Sequence, residues 1–264
     1  LMQFLIVIMI LFNIFVLNTY KLSFWYPVAY WVALSVLAYF LFGRTNREST
    51  KFTDIIQLVF IYCMVYELII YLSGLFLGFV RSPYSMQFRM IIKNVLPPLI
   101  MIVAEEFVRN AVITRYRKDK FVICTITLVI TAFEIFYSIG AYDLKYIEEI
   151  IKMLTVLVGG TLTKNILCSY LAYRADYKPA ILYRCVFELI LYVVPIFPNL
   201  GEYIEAMVAM IFPITLMVTI MGLFQKKQYR KPKRKLFETL LLWIPSIAVI
   251  IFIVVIQSGI LRYR

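Results

Sequence analysis

The residues best suited to chemistry in this chain are charged side chains that interrupt long apolar segments. They are Glu105, Glu106, Arg109, Glu134, Arg184 and Glu188, with Tyr137 following Glu134 by three positions. One ionisable group near the bilayer centre costs about 2.5–3.5 kcal/mol, so such groups are normally paired and buried inside a helical bundle. Glu105 and Arg109 are four residues apart, as are Arg184 and Glu188. Because this spacing shares a helix face, we predict two intrahelical ion pairs that can also cross-link their helices.

Two interpretations of these charges stay open. In the first, the pairs only hold helices together, and in the second they form a polar site between three helices. Lys93 and Lys164 are further charges inside apolar segments. Glu134 has no arginine one helical turn away, so we expect it to lack an arginine neighbour.

The composition of the chain excludes several kinds of catalytic site. It contains no histidine, which removes the commonest metal ligand and general base and with them a Ser-His-Asp triad. The four cysteines form no C-x-x-C pair and fall inside apolar segments, as expected for small packing residues. We predict no metal ion and no cofactor.

Membrane-spanning helices are the elements that must position these charges. Hydrophobic residues make up 63% of the 264 residues, 16% are charged, and the mean hydropathy is +0.87. A soluble domain is about half apolar and a quarter charged. We therefore predict an all-α, polytopic integral membrane bundle with about nine transmembrane helices, each needing roughly 20 residues. The predicted spans are 1–17, 24–42, 55–80, 90–114, 121–140, 150–172, 179–200, 203–224 and 237–261.

Basic residues orient these spans, because they concentrate in cytoplasmic loops. Most of them follow the second, fourth, sixth and eighth predicted spans, which places the amino end inside and the carboxyl end outside. This bias explains most of the +12 net charge, so the expected partner is the lipid bilayer and no nucleic acid is predicted. Candidate contacts to lipid headgroups are Lys226, Lys227, Arg230, Lys231, Lys233, Arg234 and Lys235.

Proline and glycine add local expectations. Pro97 and Pro98 interrupt the fourth predicted span, which favours a kink or a half-helix there. Gly159 and Gly160 allow another helix to approach the sixth span closely.

The segment Ala104-Glu-Glu-Phe-Val-Arg109 resembles the E-E-x-x-x-R motif of the CAAX-processing and bacteriocin-processing intramembrane protease family. Either Ala104 replaces the first glutamate, or both glutamates are kept and the arginine arrives one residue early. Phe133-Glu-Ile-Phe-Tyr137 resembles the family's F-x-x-x-H motif, with Tyr137 in the histidine position.

Residues 177–184 resemble the approach to the family's second histidine, with Arg184 in that position and Glu188 in the place of an asparagine. In the family, glutamate and histidine activate water. Tyrosine, with a pKa of about 10, is a poor base, and arginine is always protonated. The resemblance therefore implies a degenerate protease core over residues 90–190, in which Arg184 neutralises Glu105 or Glu106.

A second resemblance covers more of the chain. Residues 42–47, 54–84 and 178–201 resemble the multi-span amino-terminal membrane region of enlarged Gram-positive type I signal peptidases. In those proteins a basic loop and a last span, as in residues 231–264, lead into an extracytoplasmic peptidase domain. The peptidase's S-M-x-P segment is absent here, and no Ser-Lys or Ser-His dyad can be placed. The resemblance implies the bacterial cytoplasmic membrane, with secretory signal peptides or transmembrane helices as partners.

Three parts are expected on this basis. Residues 1–224 form an eight-span membrane body, 225–236 a basic cytoplasmic loop, and 237–264 a final transmembrane stem that leads to a further extracytoplasmic domain. The expected function is a membrane domain, not catalytic by itself, that anchors a signal-peptidase-like enzyme and presents substrates to it. The alternatives are a CAAX-protease-like intramembrane metalloprotease or glutamate protease, or its inactive relative, and a small-solute transporter.

Overall fold

The computed structural model describes residues 25–43 and 52–224, together with Met9 and Ile251. Within these ranges the chain is all-α, as predicted, with seven helices and two three-residue strands. The helices are α1 (Tyr26–Phe42), α2 (Phe52–Leu77), α3 (Phe88–Arg115), α4 (Lys120–Ser138), α5 (Ile147–Arg174), α6 (Tyr177–Val193) and α7 (Glu202–Phe224).

Four of these helices, α2, α4, α5 and α7, are long and apolar enough to cross a membrane. They indicate an integral membrane protein, and they correct the prediction of about nine spans to four candidates among the described residues. α1 and α6 have only 17 residues each, and α3 carries too many charges along its length. The first and last predicted spans and the basic loop at 226–235 lie outside the described residues.

α3 continues through Pro97 and Pro98 as one helix of 28 residues. The alternative of a half-helix is therefore wrong. Proline removes a backbone donor, but neighbouring helices in a membrane bundle can satisfy the carbonyls that it leaves free. The uninterrupted helix brings the charged stretch around Glu105 into the body of the bundle.

The predicted close packing at Gly159 and Gly160 is confirmed. A Cβ atom on Gly159 would lie 2.7 Å from Met210 Sδ, and one on Gly160 would lie 3.7 Å from Ala209 Cβ, so α5 and α7 approach closely here. Just before this point, Met153–Gly159 is wound as a π-helix. Such turns are rare and often adjoin functional sites.

Two apolar clusters hold the helices together. The first joins α1, α3 and α4 through buried residues such as Trp31, Val108 and Ile126. The second joins α2, α5, α6 and α7 through residues such as Val59 and Leu216. α5 belongs to both, since its Ala172 packs in the first cluster and the adjacent Leu171 in the second.

Two short antiparallel strands join the carboxyl-terminal ends of α2 and α6. β1 (Phe79–Arg81) follows α2, β2 (Ile196–Pro198) follows α6, and Phe79 lies opposite Pro198. The Tyr71 hydroxyl on α2 donates to the carbonyl of Ile196 at 3.0 Å. Gly74 packs directly under these strands, because a Cβ there would lie 2.7 Å from Phe79 Cε1 and 2.8 Å from Pro198 Cβ.

Gly74→Ala should therefore lower the stability of the protein by about 1–3 kcal/mol, as overpacking against a ring and a proline does. Gly140→Ala is the matched control, since nothing lies within 4 Å of a Cβ at that position. Thermal unfolding of the purified protein in detergent measures both. Equal melting temperatures for the two variants would contradict the close approach of the strands to α2.

Candidate functional site

α3 presents three charged side chains on one buried face. Glu105, Glu106 and Arg109 are all 0% exposed. Arg109 Nη2 lies 3.1 Å from Glu105 Oε1, and its Nε lies 3.2 Å from Glu106 Oε2. The predicted pair between Glu105 and Arg109 is thus present, and the adjacent glutamate shares the same arginine.

Arg184 of α6 is the centre of the site, and it is 1% exposed. Its Nη1 lies 2.8 Å from Glu105 Oε1 and 2.9 Å from Glu106 Oε1. Its Nη2 lies 3.0 Å from Glu134 Oε1 on α4, and its Nε lies 2.8 Å from Glu188 Oε1. A planar guanidinium with five N–H donors can serve four carboxylates in this way. The predicted pair between Arg184 and Glu188 and the predicted link between α3 and α6 are both present.

α5 supplies a lysine and an asparagine to the same network. Lys164 Nζ lies 3.0 Å from Glu134 and 3.1 Å from Glu188 Oε1. Asn165 Nδ2 donates to Glu134 Oε2 at 2.8 Å. The backbone carbonyl of Asn165 accepts from Arg109 Nη1 at 2.9 Å, and its side-chain oxygen accepts from Arg109 Nη2. Glu134 is therefore held by α5 as well as by α6.

Two hydroxyl groups extend the hydrogen bonding around Arg109. Arg109 Nη1 donates to Ser169 Oγ at 3.2 Å, and Thr127 of α4 donates to the same oxygen at 2.7 Å. Ser169 stands four residues after Asn165, so both lie on the face of α5 that meets α3. The charged side chains of these four helices form one continuous ion network, which consists of Glu105, Glu106, Arg109, Glu134, Lys164, Arg184 and Glu188.

The structure brings together six of the seven side chains predicted for the site. The exception is Tyr137, which is 47% exposed and makes no hydrogen bond or ion pair with the network in the described part of the chain. The expectation that Glu134 lacks an arginine neighbour is wrong, because Arg184 reaches it from another helix.

Sequence reasoning missed Asn165, Ser169 and Thr127, and it did not assign Lys164 to the site. Lys164 was visible as a charge inside an apolar segment. The spacing of Asn165 and Ser169, four apart in an otherwise apolar helix, was a further signal for a polar face. Thr127 carried no signal, since threonine is common in apolar helices.

A cavity of about 810 Å³ adjoins one edge of the ion network and lies among α2, α5, α6, α7 and both strands. Lys164 and Glu188 reach it, with side chains 20% and 26% exposed. Glu67, Arg81 and Glu205 add further charge to its lining. The carboxylates of Glu105 and Glu106 are not among its lining groups, so only the α5 and α6 side of the network is accessible from it.

The carboxylates of the ion network are all ion-paired, although Glu105 Oε2, Glu106 Oε2 and Arg109 Nε are buried without a hydrogen bond. Each of its four carboxylates lies within 3.2 Å of at least one arginine or lysine nitrogen. Among the described residues, no group of three or more His, Cys, Asp and Glu side chains is arranged to hold a metal ion. The arrangement can fix the positions of four helices and offer a charged wall to a ligand in the cavity.

Asp176 fastens α3 to the start of α6 outside the candidate spans. Its carboxylate caps α6 by accepting from Tyr177 N at 2.8 Å, and it accepts from Asn110 Nδ2 of α3 at 3.0 Å. Burial raises the pKa of Asp176, while these hydrogen bonds and the charge of Lys178 act in the opposite direction. The raised pKa means that the folded state binds a proton at this carboxylate more tightly than the unfolded chain does.

No family model, curated protein or solved structure matches this chain. It stands as a helical protein with four long apolar helices that are candidate membrane spans. The two resemblances read from short motifs accordingly stay predictions.

Arg184→Met should destabilise the protein by about 3–5 kcal/mol, because it leaves buried carboxylates without their main partner. Arg174→Met is the control, since Arg174 is only partly buried and its guanidinium contacts a single ring and hydroxyl, those of Tyr170. Its loss should cost no more than about 1 kcal/mol. Chemical unfolding in detergent compares them, and equal losses would show that Arg184 does not hold the network together.

The raised pKa of Asp176 predicts a pH dependence with a definite sign. Asp176→Asn retains the capping oxygen but does not titrate. As the pH falls from neutral, the free energy of unfolding of the wild type should rise relative to that of Asp176→Asn, because the folded state takes up the proton first. The gain is complete below about pH 3.9, the ordinary pKa of aspartate. Melting temperatures of both proteins at matched pH values test this, and a relative fall would contradict it.

Proposed function

We propose that this chain is a non-catalytic multi-pass membrane domain that anchors a signal-peptidase-like enzyme and presents apolar peptide segments to it. The observation that carries the proposal is the position of the ion network, whose carboxylates are all paired and whose accessible edge forms part of a cavity wall. Such a site can bind a ligand, and none of its carboxylates lacks a neighbouring cation.

The burial of the motif glutamates argues against proteolysis by this domain. A general base must come within hydrogen-bond reach of the proton that it removes. Glu105 and Glu106 are 0% exposed and lie within 3 Å of Arg184. Arg184 occupies the position at which the CAAX-processing protease family, which this segment resembles, carries a histidine. An arginine stays protonated at physiological pH. The proton acceptor that the protease mechanism requires is therefore missing.

The cavity has the size and lining of a binding site. Ligand pockets range over roughly 300–1,000 Å³ and are mostly apolar, with a few polar groups. Here Tyr66, Phe187 and Phe212 form an aromatic wall with ring centroids 4.5 to 4.8 Å apart. The apolar part of a signal peptide or transmembrane helix matches this wall, and its backbone carbonyls can accept from the Lys164 ammonium.

The position of the cavity within the bundle supports the same function. Both strands line it, and the connections that contain them, 78–87 and 194–201, hold a single basic residue between them, as is typical of loops on the outer side of a membrane. An extracytoplasmic peptidase domain would work on that side. A peptide segment held in the cavity would therefore lie next to the enzyme that acts on it.

A photoreactive phenylalanine analogue at Leu191 should label a synthetic secretory signal peptide in membranes that contain the full chain. Leu191 lines the cavity. The analogue at Val193 is the control, because Val193 is on the same helix and 50% exposed but does not line the cavity. We expect strong labelling from position 191 and background labelling from position 193, detected as a cross-linked band. Equal labelling from the two positions would contradict binding in the cavity.

The alternative functions give different results with the same protein. A protease would be established instead if the purified protein cleaved a transmembrane or prenylated peptide and if the variants Glu105→Gln and Glu106→Gln lost this activity. Solute flux in proteoliposomes that is abolished by Glu188→Gln would establish a transporter.

A further inference from the structure

A second groove, also of about 810 Å³, lies along the side of the bundle, away from the cavity described above. α4 and α7 both pack on α5 and leave this groove between them. Its apolar lining consists mainly of Cys124 and Leu128 from α4, Leu162 and Ile166 from α5, and Met217 and Met221 from α7.

The apolar walls of the groove are exposed on the side of the bundle. Its three helices are candidate membrane spans. Leu128 and Ile166 are 53% and 40% exposed in the protein. Apolar side chains exposed on a membrane-spanning helix face lipid chains rather than water.

One end of the groove is strongly basic. Arg117 and Lys118, in the connection between α3 and α4, line it there together with Lys120, the first residue of α4. The guanidinium of Arg117 lies 4.6 Å above the ring centre of Tyr173, which also lines the groove, so its charge is held at that end. The one carboxylate in this connection, Asp119, accepts hydrogen bonds from Phe121 N and Val122 N as the cap of α4.

The basic end of the groove suits an anionic group, and its apolar walls suit a hydrocarbon chain of the same ligand. We infer that the groove binds an anionic phospholipid, with its phosphate at Arg117, Lys118 and Lys120 and an acyl chain along the apolar residues. Basic residues concentrate on the cytoplasmic side of membrane proteins, so this basic end is expected at the cytoplasmic leaflet, where anionic lipids and basic pockets between helices meet. The inference is independent of the function proposed above.

The bound chain would also affect the ion network. Thr127 and Ser169 line the groove, and the Ser169 hydroxyl accepts from Arg109. An acyl chain over these two hydroxyls excludes water from this side of the network. The lipid would thus keep the Arg109 contacts in a dry environment, where they are strongest.

The inference can be tested by native mass spectrometry of the full chain in detergent. The binding of phosphatidylglycerol and, separately, of phosphatidylcholine is measured as each lipid is titrated in. We expect phosphatidylglycerol to bind at least about tenfold more tightly. The variant Arg117→Gln/Lys118→Gln/Lys120→Gln should weaken its binding by at least about tenfold, since each basic residue near an anionic surface contributes severalfold. The matched control, Arg89→Gln/Lys93→Gln/Lys145→Gln, removes the same charge from exposed positions that line neither the groove nor the cavity and should bind as the wild type does.

A second pair of variants tests the apolar part. Ile166→Trp fills the groove and should reduce lipid binding, whereas Ile214→Trp, at an exposed position of α7 that does not line the groove, should not. Equal binding of the two lipids, or equal binding by the two triple variants, would overturn the inference. Displacement of phosphatidylglycerol by millimolar inorganic phosphate would also overturn it, because it would show a site for free anions.

Discussion

The cost of placing charge in a low-dielectric interior governs this structure. Seven ionisable side chains meet on four helices, and each carboxylate finds a cation within about 3 Å. Removing any of these four helices would take ion-pair partners away from the charges that remain buried, and a buried charge that loses its partner costs far more than a lost apolar contact. The pairing therefore specifies how α3, α4, α5 and α6 are arranged, while the two apolar clusters supply most of the contact area.

Arg184 has the central role because its geometry allows it to serve several partners at once. Its guanidinium reaches carboxylates on α3, α4 and α6. A lysine at this position would offer one charged nitrogen on a flexible stem and could not meet the same set of directions. The arginine that neutralises Glu105 and Glu106 is thus also the group that orders the bundle around them.

The four helices that can span a membrane and the charged helices have different tasks. α2, α4, α5 and α7 are apolar over most of their length, whereas α3 and α6 carry five of the seven charged side chains of the ion network. The ion network lies next to a cavity on one side, and on another it contacts Ser169, which lines the second groove. Both surfaces therefore depend on the same paired charges, and the functions proposed for them share one structural foundation.

The amino-acid sequence by itself determined the helical class, the membrane character and the intrahelical pairs. A four-residue spacing fixes two side chains on one face whatever surrounds the helix, so the pairs of Glu105 with Arg109 and of Arg184 with Glu188 were predictable. Hydropathy overestimated the number of spans, because it could not separate charged or short apolar helices from those able to cross a bilayer. It also could not show that α3 runs unbroken through its two prolines.

Only the tertiary structure decided which charges from different helices meet. Glu134 has no basic residue nearby in the sequence, and its partners, Arg184 and Lys164, lie 50 and 30 positions away. Asn165 and Ser169 became part of the site for the same reason, since helix packing turned their face of α5 toward Arg109. Contacts within one helix follow from spacing alone, but contacts between helices depend on the packing of all of them, and here the pairing of buried charges selects that packing.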